Sequence, residues 1–230
     1  PPIMHENPIA EFAQFRATFG GHPLKDLTPE YFDWKFNHCP GGPGYLPLTF
    51  DGPGQGEAEY EFPILPEYEA AVAAVIDYLE TRDDVDAARV GLWGVSFGGY
   101  YAPRAAAFEP RAKACIGISG PFNFGPLFRA SGGNEGFRVR AHAKTMEEAF
   151  EIADQVHSTG IAANITCPLM LIGGGLDTMA PPSEQQRLAD AASGPSQALI
   201  LEDGNHCANN VRYKYSPQSA DWMAGHLGAG

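Results

Sequence analysis

The sequence is poor in cationic residues, and this shortage disfavours two classes of partner. Lys and Arg number 15 against 28 Asp and Glu in 230 residues, so the formal net charge is −13. A protein that binds nucleic acid needs a basic face that replaces phosphate counterions. Anionic lipid surfaces also attract basic segments. We therefore expect neither nucleic acid nor a membrane as a partner, and we interpret the charge as a source of solubility.

Long apolar runs are also missing. The longest obvious one, Ala70–Ile76, is far shorter than the roughly 20 residues that a membrane-spanning helix needs. The N-terminus has no basic region followed by an apolar stretch, so it does not resemble a secretory signal peptide. A cytoplasmic location is the default expectation. Because the chain begins at Pro1, we expect a fragment or a processed product.

The cysteines are few and scattered. Cys39, Cys115, Cys167 and Cys207 form no C-x-x-C pair, and this spacing predicts no zinc site. Such cysteines suit a reducing compartment, although two disulfides stay open. The glycines of residues 52–56 lack the G-x-G-x-x-G spacing of a dinucleotide-binding turn. We expect no metal and no cofactor.

From Tyr45 onward, short apolar runs alternate with amphipathic helical patterns. Strands are predicted at Tyr45–Phe50, Arg89–Val95, Lys113–Ser119, Leu169–Gly173 and Gln197–Leu201. Helices are predicted from Pro66 and over Phe97–Phe108, Thr145–His157, Pro182–Ala192 and Pro217–Leu227. Strand–helix alternation of this kind predicts an α/β fold, with a mostly parallel sheet and helices on both faces.

Two regions fall outside this alternation. Residues 1–44 are rich in aromatics and predict a helical N-terminal segment, which is either a helix pair packed on the main domain or a cap or lid over a substrate pocket. Residues 121–165 interrupt the core domain of residues 45–230. We expect them to form a cap insertion over the C-terminal edge of the sheet, where α/β sheets bind ligands.

The stretch Gly94–Gly99 places a serine between a predicted strand and a predicted helix. A nucleophile on such a sharp turn needs neighbours without bulk, which explains the glycines. The turn projects Ser96 into solvent and aims the backbone N–H of Phe97 at a developing oxyanion. The pattern alone is weak, and the strand–turn–helix context strengthens it.

A serine hydroxyl is a poor nucleophile without a base and a group that orients the base. Asp177 and His206 each follow the end of a predicted strand, at the same sheet edge as Ser96. The order Ser96, Asp177, His206 is that of the α/β-hydrolase fold. His206 would accept the Ser96 proton, and Asp177 would hold the imidazole in the required tautomer.

Plainer explanations stay open for these residues. Ser96 could be a turn serine, Asp177 a helix cap and His206 a surface histidine. Asp203 is a rival acid, but it lies three residues before His206 on the same turn. Cys207 is expected to be a small buried residue rather than a nucleophile.

An oxyanion hole needs a second backbone donor beside Phe97. The glycine-rich stretch Pro40–Gly44 offers Gly41 and Gly42 for this role. However, it directly precedes the first predicted strand. It is therefore either the oxyanion loop or merely a turn.

Several motifs together resemble one group of α/β-hydrolases. They are Thr49–Glu57, Gly94–Gly99, Cys167-Pro168 and Asp203–Cys207. The group is that of 2,6-dihydroxypseudooxynicotine hydrolase and the fermentation-respiration switch esterase-like proteins. The resemblance implies a triad at Ser96, Asp177 and His206, and hydrolysis of an ester or of a carbon–carbon bond next to a ketone. It also implies early strands and an oxyanion loop, for which the segment before Tyr45 is short.

The predicted insertion carries residues that bear on the substrate. Phe122 and Phe124 favour a hydrophobic or aromatic small molecule. Its arginines either bind an acid or phenolate group or form a solvated face; they are Arg129, Arg138 and Arg140.

The sequence thus predicts a serine hydrolase that forms an acyl-enzyme with a small carbonyl substrate. Two alternatives come from other classes. One is a non-catalytic small-molecule binding protein on the same fold. The other is a serine peptidase of the prolyl-peptidase type, although the chain has no propeller repeats. Self-association into a homo-oligomer is left open.

Overall fold

The described strands form one parallel sheet. A computed structural model describes residues 48–83 and 85–228, so the predicted helical segment of residues 1–44 lies outside the described residues. The strands are β1 (Val90–Val95), β2 (Ala112–Ile118), β3 (Leu169–Gly174) and β4 (Ser196–Leu201). They lie in the order β1-β2-β3-β4, and all three pairings are parallel.

Helices precede, connect and follow these strands. They are α1 (Glu69–Glu80), α2 (Gly98–Phe108), α3 (Phe124–Ala130), α4 (Glu135–Arg140), α5 (Met146–Asp154), α6 (Pro182–Ala191) and α7 (Arg212–Leu227). Short 3-10 segments lie at Gly56–Tyr60, Ala162–Asn164 and His206–Val211. In residues 48–83 and 85–228, no helix has both the length and the apolar character that crossing a bilayer requires.

Alternation along β2 and β3 sends side chains to two separate cores. Cys115 and Leu171 pack in a cluster with residues of α2 and α6. Ile116 and Ile172 belong to a second cluster, which includes Tyr215 of α7. Successive residues of a strand point to opposite faces. Helices therefore cover both faces of the sheet, which confirms the predicted α/β architecture.

The first predicted strand, Tyr45–Phe50, is wrong in its described part. Residues 48–50 have no strand conformation, and Leu48 and Thr49 are exposed. The ring of Phe50 stacks on Tyr68 at the start of α1, with the ring centroids 6.1 Å apart. An aromatic contact thus takes the place of sheet pairing at Phe50.

The last helix begins at Arg212, whereas the sequence predicted a start at Pro217. Pro217 lies inside the helix. Tyr215 explains the earlier start, because its side chain packs in the sheet core and its hydroxyl donates to the Cys207 carbonyl at 3.3 Å. Tertiary packing here overrides the helix-breaking tendency of proline.

The insertion contains more helix than the sequence predicted. The single predicted helix Thr145–His157 is the shorter α5, and α3 and α4 precede it. Thr145 caps α5, since its hydroxyl accepts a hydrogen bond from the Glu148 N–H at 3.2 Å. The helix ends before His157 because that residue forms an antiparallel bridge with Asn123.

The close approach of β1 to α2 generates a test of the fold. A Cβ added to Gly94 would lie 1.8 Å from the Gly98 carbonyl oxygen, so Gly94→Ala must push the helix away from the strand. We expect this variant to lose about 2 to 3 kcal/mol of unfolding free energy in urea denaturation.

Gly98→Ala is the matched control for this variant. A Cβ there meets nothing within 4 Å. Because alanine is the better helix former, this change should be neutral or should stabilise by about 0.5 to 1 kcal/mol. Equal losses in the two variants would contradict the packing described.

Candidate active site

Ser96 lies on the sharp turn between β1 and α2. Its φ of 57° is left-handed, a conformation that a non-glycine residue adopts only when the surroundings hold it there. The Ser96 N–H donates to the Ile118 carbonyl of β2 at 2.8 Å. A Cβ on Gly99 would lie 2.5 Å from the same carbonyl oxygen, so this glycine is required by close packing. The turn is fixed from two sides.

The structure brings Ser96, His206 and Asp177 together in one chain of hydrogen bonds. The Ser96 Oγ lies 2.8 Å from Nε2 of His206. Nδ1 of His206 lies 2.9 Å from Oδ2 of Asp177. The Asp177 side chain is fully buried, whereas that of His206 is 26% exposed. If Nδ1 carries the proton that the carboxylate accepts, Nε2 is left as an acceptor for the serine hydroxyl.

Asp177 also fixes the turn on which it lies. Its second oxygen, Oδ1, accepts the N–H groups of Met179 and Ala180, each at 2.9 Å. The helix-cap explanation of Asp177 is wrong, because α6 begins at Pro182 and its N-cap, Pro181, has no side-chain cap bond. One oxygen of Asp177 holds the preceding turn, and the other contacts the imidazole. A carboxylate held by several donors has few other orientations available.

The rival acid, Asp203, pairs with a lysine and not with His206. Its carboxylate forms an exposed ion pair with Nζ of Lys214 at 2.6 Å. The Lys214 ammonium lowers the pKa of Asp203. Cys207, beside His206, is buried, and burial raises the pKa of its thiol. A thiol with a raised pKa is a weaker candidate nucleophile at neutral pH.

Of the predicted oxyanion donors, Phe97 lies within the described residues. Phe97 is the N-cap residue of α2, with φ −58° and ψ −32°. N–H groups at the start of a helix have no acceptor within the helix, so they are available to an anion. Gly41 and Gly42 lie outside the described residues, and their role stays a prediction.

An aromatic cluster lies against the residue that follows Ser96. The Phe97 ring meets Phe124 edge to face at a centroid distance of 5.1 Å, and Phe137 at 6.1 Å. Phe124 and Phe137 belong to α3 and α4. The insertion therefore contacts the nucleophile turn, which follows the C-terminal end of β1.

Phe122 lies in a different environment from Phe124. It is buried in the core cluster that contains residues of α2 and α6. The Arg187 guanidinium lies 4.4 Å from the centroid of its ring. The structure does not bring Phe122 into the cluster around Phe97, and a substrate contact for it stays a prediction.

The arginines of the insertion already have carboxylate partners. Arg129 pairs with Asp154. Arg138 and Arg140 pair with Glu135 and Glu59, each at 2.7 Å. A substrate acid or phenolate would have to compete with these ion pairs.

The motif Thr49–Glu57 is tied to the site through two tyrosines. The Gly52 N–H donates to the Tyr68 hydroxyl at 2.8 Å. Tyr68 stacks on Tyr101 with the ring centroids 3.8 Å apart, and Tyr101 meets Phe97 at 5.1 Å. Sequence reasoning missed both tyrosines, because their contact joins the start of α1 to the first turn of α2. No local pattern indicates such a pairing.

Within the described part of the chain, no group of three or more His, Cys, Asp and Glu side chains is arranged to hold a metal ion.

Comparison with known proteins identifies the family. Residues 70–230 match the sequence profile of the prolyl oligopeptidase family, Peptidase_S9. The chain belongs to this family. The prolyl oligopeptidase family match begins within α1. It covers the turn of Ser96, the turn of Asp177 (the acid turn) and the turn of His206 (the histidine turn).

Curated relatives of this prolyl oligopeptidase family member are named as hydrolases. It is 31% identical over 195 residues to the 2,6-dihydropseudooxynicotine hydrolase of Paenarthrobacter nicotinovorans, a match that covers 81% of this chain and 52% of the relative. It is 41% identical over 99 residues to Hydrolase ORFZ of Pyricularia oryzae, which covers 39% of this chain and 23% of the relative. The chain thus spans about half the length of the first of these relatives.

Solved structures agree with the family assignment. The crystal structure of the 2,6-dihydroxy-pseudo-oxynicotine hydrolase matches with a TM-score of 0.71 at 29% identity, covering 79% of this chain and 52% of that one. Est1E from Butyrivibrio proteoclasticus, with ferulic acid bound, matches with a TM-score of 0.63 at 18% identity over 77% and 75% of the two chains. The second likeness supports the fold alone. Together they confirm the α/β-hydrolase fold, and the first also confirms the resemblance seen in the motifs.

Stability at alkaline pH tests the burial of Tyr68 and Tyr101, the two tyrosines that tie the Thr49–Glu57 motif to the site. Burial raises the pKa of Tyr68 to about 12, and it also raises the pKa of Tyr101. The unfolded chain releases these protons near pH ~10. Between the unfolded and the folded pKa, the folded state binds more protons than the unfolded state. The free energy of unfolding is therefore at its full value below pH ~10, and it falls as the pH rises through the folded pKa. We expect urea denaturation to show a loss of about 2 kcal/mol or more by pH ~12.

Two variants test whether the loss of stability at alkaline pH comes from the buried Tyr68 hydroxyl. Tyr68→Phe should make the decline with pH shallower, because the titrating hydroxyl is gone. Tyr60→Phe is the control, since Tyr60 is 80% exposed and its titration should not be coupled to folding. The same slope in Tyr68→Phe as in the parent protein would contradict the interpretation.

Proposed function

We propose that this protein is a serine hydrolase that cleaves a small carbonyl compound through an acyl-enzyme on Ser96. The observation that carries the proposal is the unbroken chain of hydrogen bonds from Asp177 through His206 to the Ser96 hydroxyl. Membership of a hydrolase family, and relatives named as hydrolases, support the same class of reaction.

In the first half-reaction, the Ser96 Oγ attacks the substrate carbonyl carbon while Nε2 of His206 takes the hydroxyl proton. Asp177 stabilises the imidazolium that forms. Its full burial strengthens this interaction, because little water screens the carboxylate. The Phe97 N–H stabilises the oxyanion. Collapse of the tetrahedral intermediate expels the leaving group, which receives the proton from His206.

In the second half-reaction, water attacks the acyl-enzyme. His206 removes a proton from that water and then returns it to Ser96, so the enzyme is regenerated. The partial exposure of the His206 side chain is compatible with this step, because water must reach Nε2. The products are a carboxylic acid and the protonated leaving group.

We propose that the acyl or leaving group is hydrophobic or aromatic. Phe97 and Phe124 are both only partly buried. Phe97 directly follows Ser96 in the chain, and the Phe124 ring contacts the Phe97 ring. Aromatic faces beside a nucleophile favour a ring or another apolar group in the substrate. An ester is the first substrate class, because an alkoxide leaves far more easily than the carbanion that carbon–carbon cleavage produces.

A peptide bond is the second candidate, and the match to the prolyl oligopeptidase family favours it. The same triad would serve, with His206 protonating an amine leaving group. Assays with p-nitrophenyl esters, aryl ketones and chromogenic dipeptides, run side by side, distinguish the three substrate classes.

Steady-state kinetics on a p-nitrophenyl ester test the assigned roles. Ser96→Ala should abolish turnover, since the nucleophile is lost. Asp177→Asn should lower kcat by about 10⁴-fold, because the amide leaves His206 in the wrong tautomer. Circular dichroism should show both variants folded.

Asp203→Asn is the matched control for Asp177→Asn. It makes the same chemical change three residues from His206, but at an exposed carboxylate that pairs with Lys214. Its kcat should stay within about 2-fold of the parent value, as expected for a surface ion pair. More than a few per cent of activity left in Ser96→Ala, or similar losses in the two Asp variants, would contradict the proposal.

A further inference from the structure

Ile118 and Ser119, at the end of β2, hydrogen-bond to the two turns that carry Ser96 and His206. The Ile118 carbonyl accepts the N–H of Ser96 at 2.8 Å. The hydroxyl of the next residue, Ser119, accepts the N–H of Cys207 at 3.0 Å, and this bond is buried. Cys207 directly follows His206, so the end of β2 is a common attachment point for the serine turn and the histidine turn.

The histidine turn needs such an attachment because its backbone is strained. Cys207 and Ala208 have φ values of 61° and 48°, so two successive residues with side chains adopt the left-handed conformation. Such residues persist only where the surroundings fix them. The Ser119 hydroxyl satisfies the N–H of the first of the two, one residue from the imidazole.

Ser119 is itself held firmly. It is 1% exposed, and its N–H donates to the Ile172 carbonyl of β3 at 2.8 Å. A Cβ on the next residue, Gly120, would lie 2.1 Å from the backbone of Gly99 in α2. Ser119 therefore lies between β3 and the first turn of the nucleophile helix, and its hydroxyl has a fixed position.

Ser119 also has an unfavourable backbone, with a φ of 49°. Glycine would adopt this conformation without strain. Conformation alone therefore does not account for a serine at this position, whereas its hydroxyl has a partner in the histidine turn.

We propose that Ser119 is a positioning residue that keeps Nε2 of His206 within hydrogen-bond reach of the Ser96 hydroxyl. The proposal rests on the proposed function, since it assigns Ser119 a role in the same triad. Ser119 does not touch substrate. It acts through the backbone of Cys207.

Ser119→Gly tests this role without adding strain, because glycine removes the hydroxyl and relaxes the positive φ. We expect kcat for a p-nitrophenyl ester to fall by about 10- to 100-fold, the size of effect that a displacement near 1 Å has on a reacting group. KM should change by less than about 2-fold, since the substrate contacts remain. Ser131→Gly is the control, because the Ser131 hydroxyl donates to the Phe128 carbonyl within the insertion.

A double-mutant cycle with His206→Ala separates positioning from a general structural role. If Ser119 acts through the imidazole, Ser119→Gly should change the residual rate of His206→Ala by less than about 2-fold. An equal fall in kcat with and without His206, or an unchanged kcat in Ser119→Gly, would overturn the proposal. If Ser119→Gly does not fold, Ser119→Ala, which keeps the Cβ, takes its place in the cycle.

The cycle also separates this proposal from the proposed function. Full activity in His206→Ala would refute the triad itself, whatever Ser119 does. Loss of activity in His206→Ala together with unchanged activity in Ser119→Gly would refute only the positioning role.

Discussion

The site depends on how closely the first turn of α2 approaches the ends of β1 and β2. Glycines at positions 94, 99 and 120 have no room for a Cβ, because backbone atoms lie within 3 Å of where it would be. This contact holds Ser96 in a left-handed turn. Parallel strands then deliver the acid and histidine turns to the same edge, since their C-terminal ends point the same way.

The insertion supplies what the sheet does not, an apolar surface beside the nucleophile. Its helices α3 and α4 bring Phe124 and Phe137 against Phe97, and its arginines are engaged by carboxylates. The surroundings of Phe97, the residue after Ser96, are thus aromatic rather than charged. The proposed preference for a substrate with an apolar or aromatic group rests on this surface.

The four strands of the sheet, the core helices and the meeting of Ser96, Asp177 and His206 could be predicted from sequence, because each has a local signal. Strand runs end in glycine turns, and chemically distinctive residues follow those turns. The features that the sequence did not predict depend on tertiary contacts. The last helix begins at Arg212 because Tyr215 packs in the sheet core. Phe50 stacks on Tyr68 instead of joining the sheet. The Ser119 hydroxyl meets Cys207 across 88 residues, so no local pattern could reveal it.

Reaction with a fluorophosphonate, followed by intact mass and peptide mapping, tests the central claim most directly. The reagent labels serines that a neighbouring base activates, and it needs no knowledge of the substrate. We expect a single adduct on Ser96, and none in Ser96→Ala. Folded protein that forms no adduct, or an adduct on another serine, would contradict the assembly of Ser96, His206 and Asp177 into a working triad.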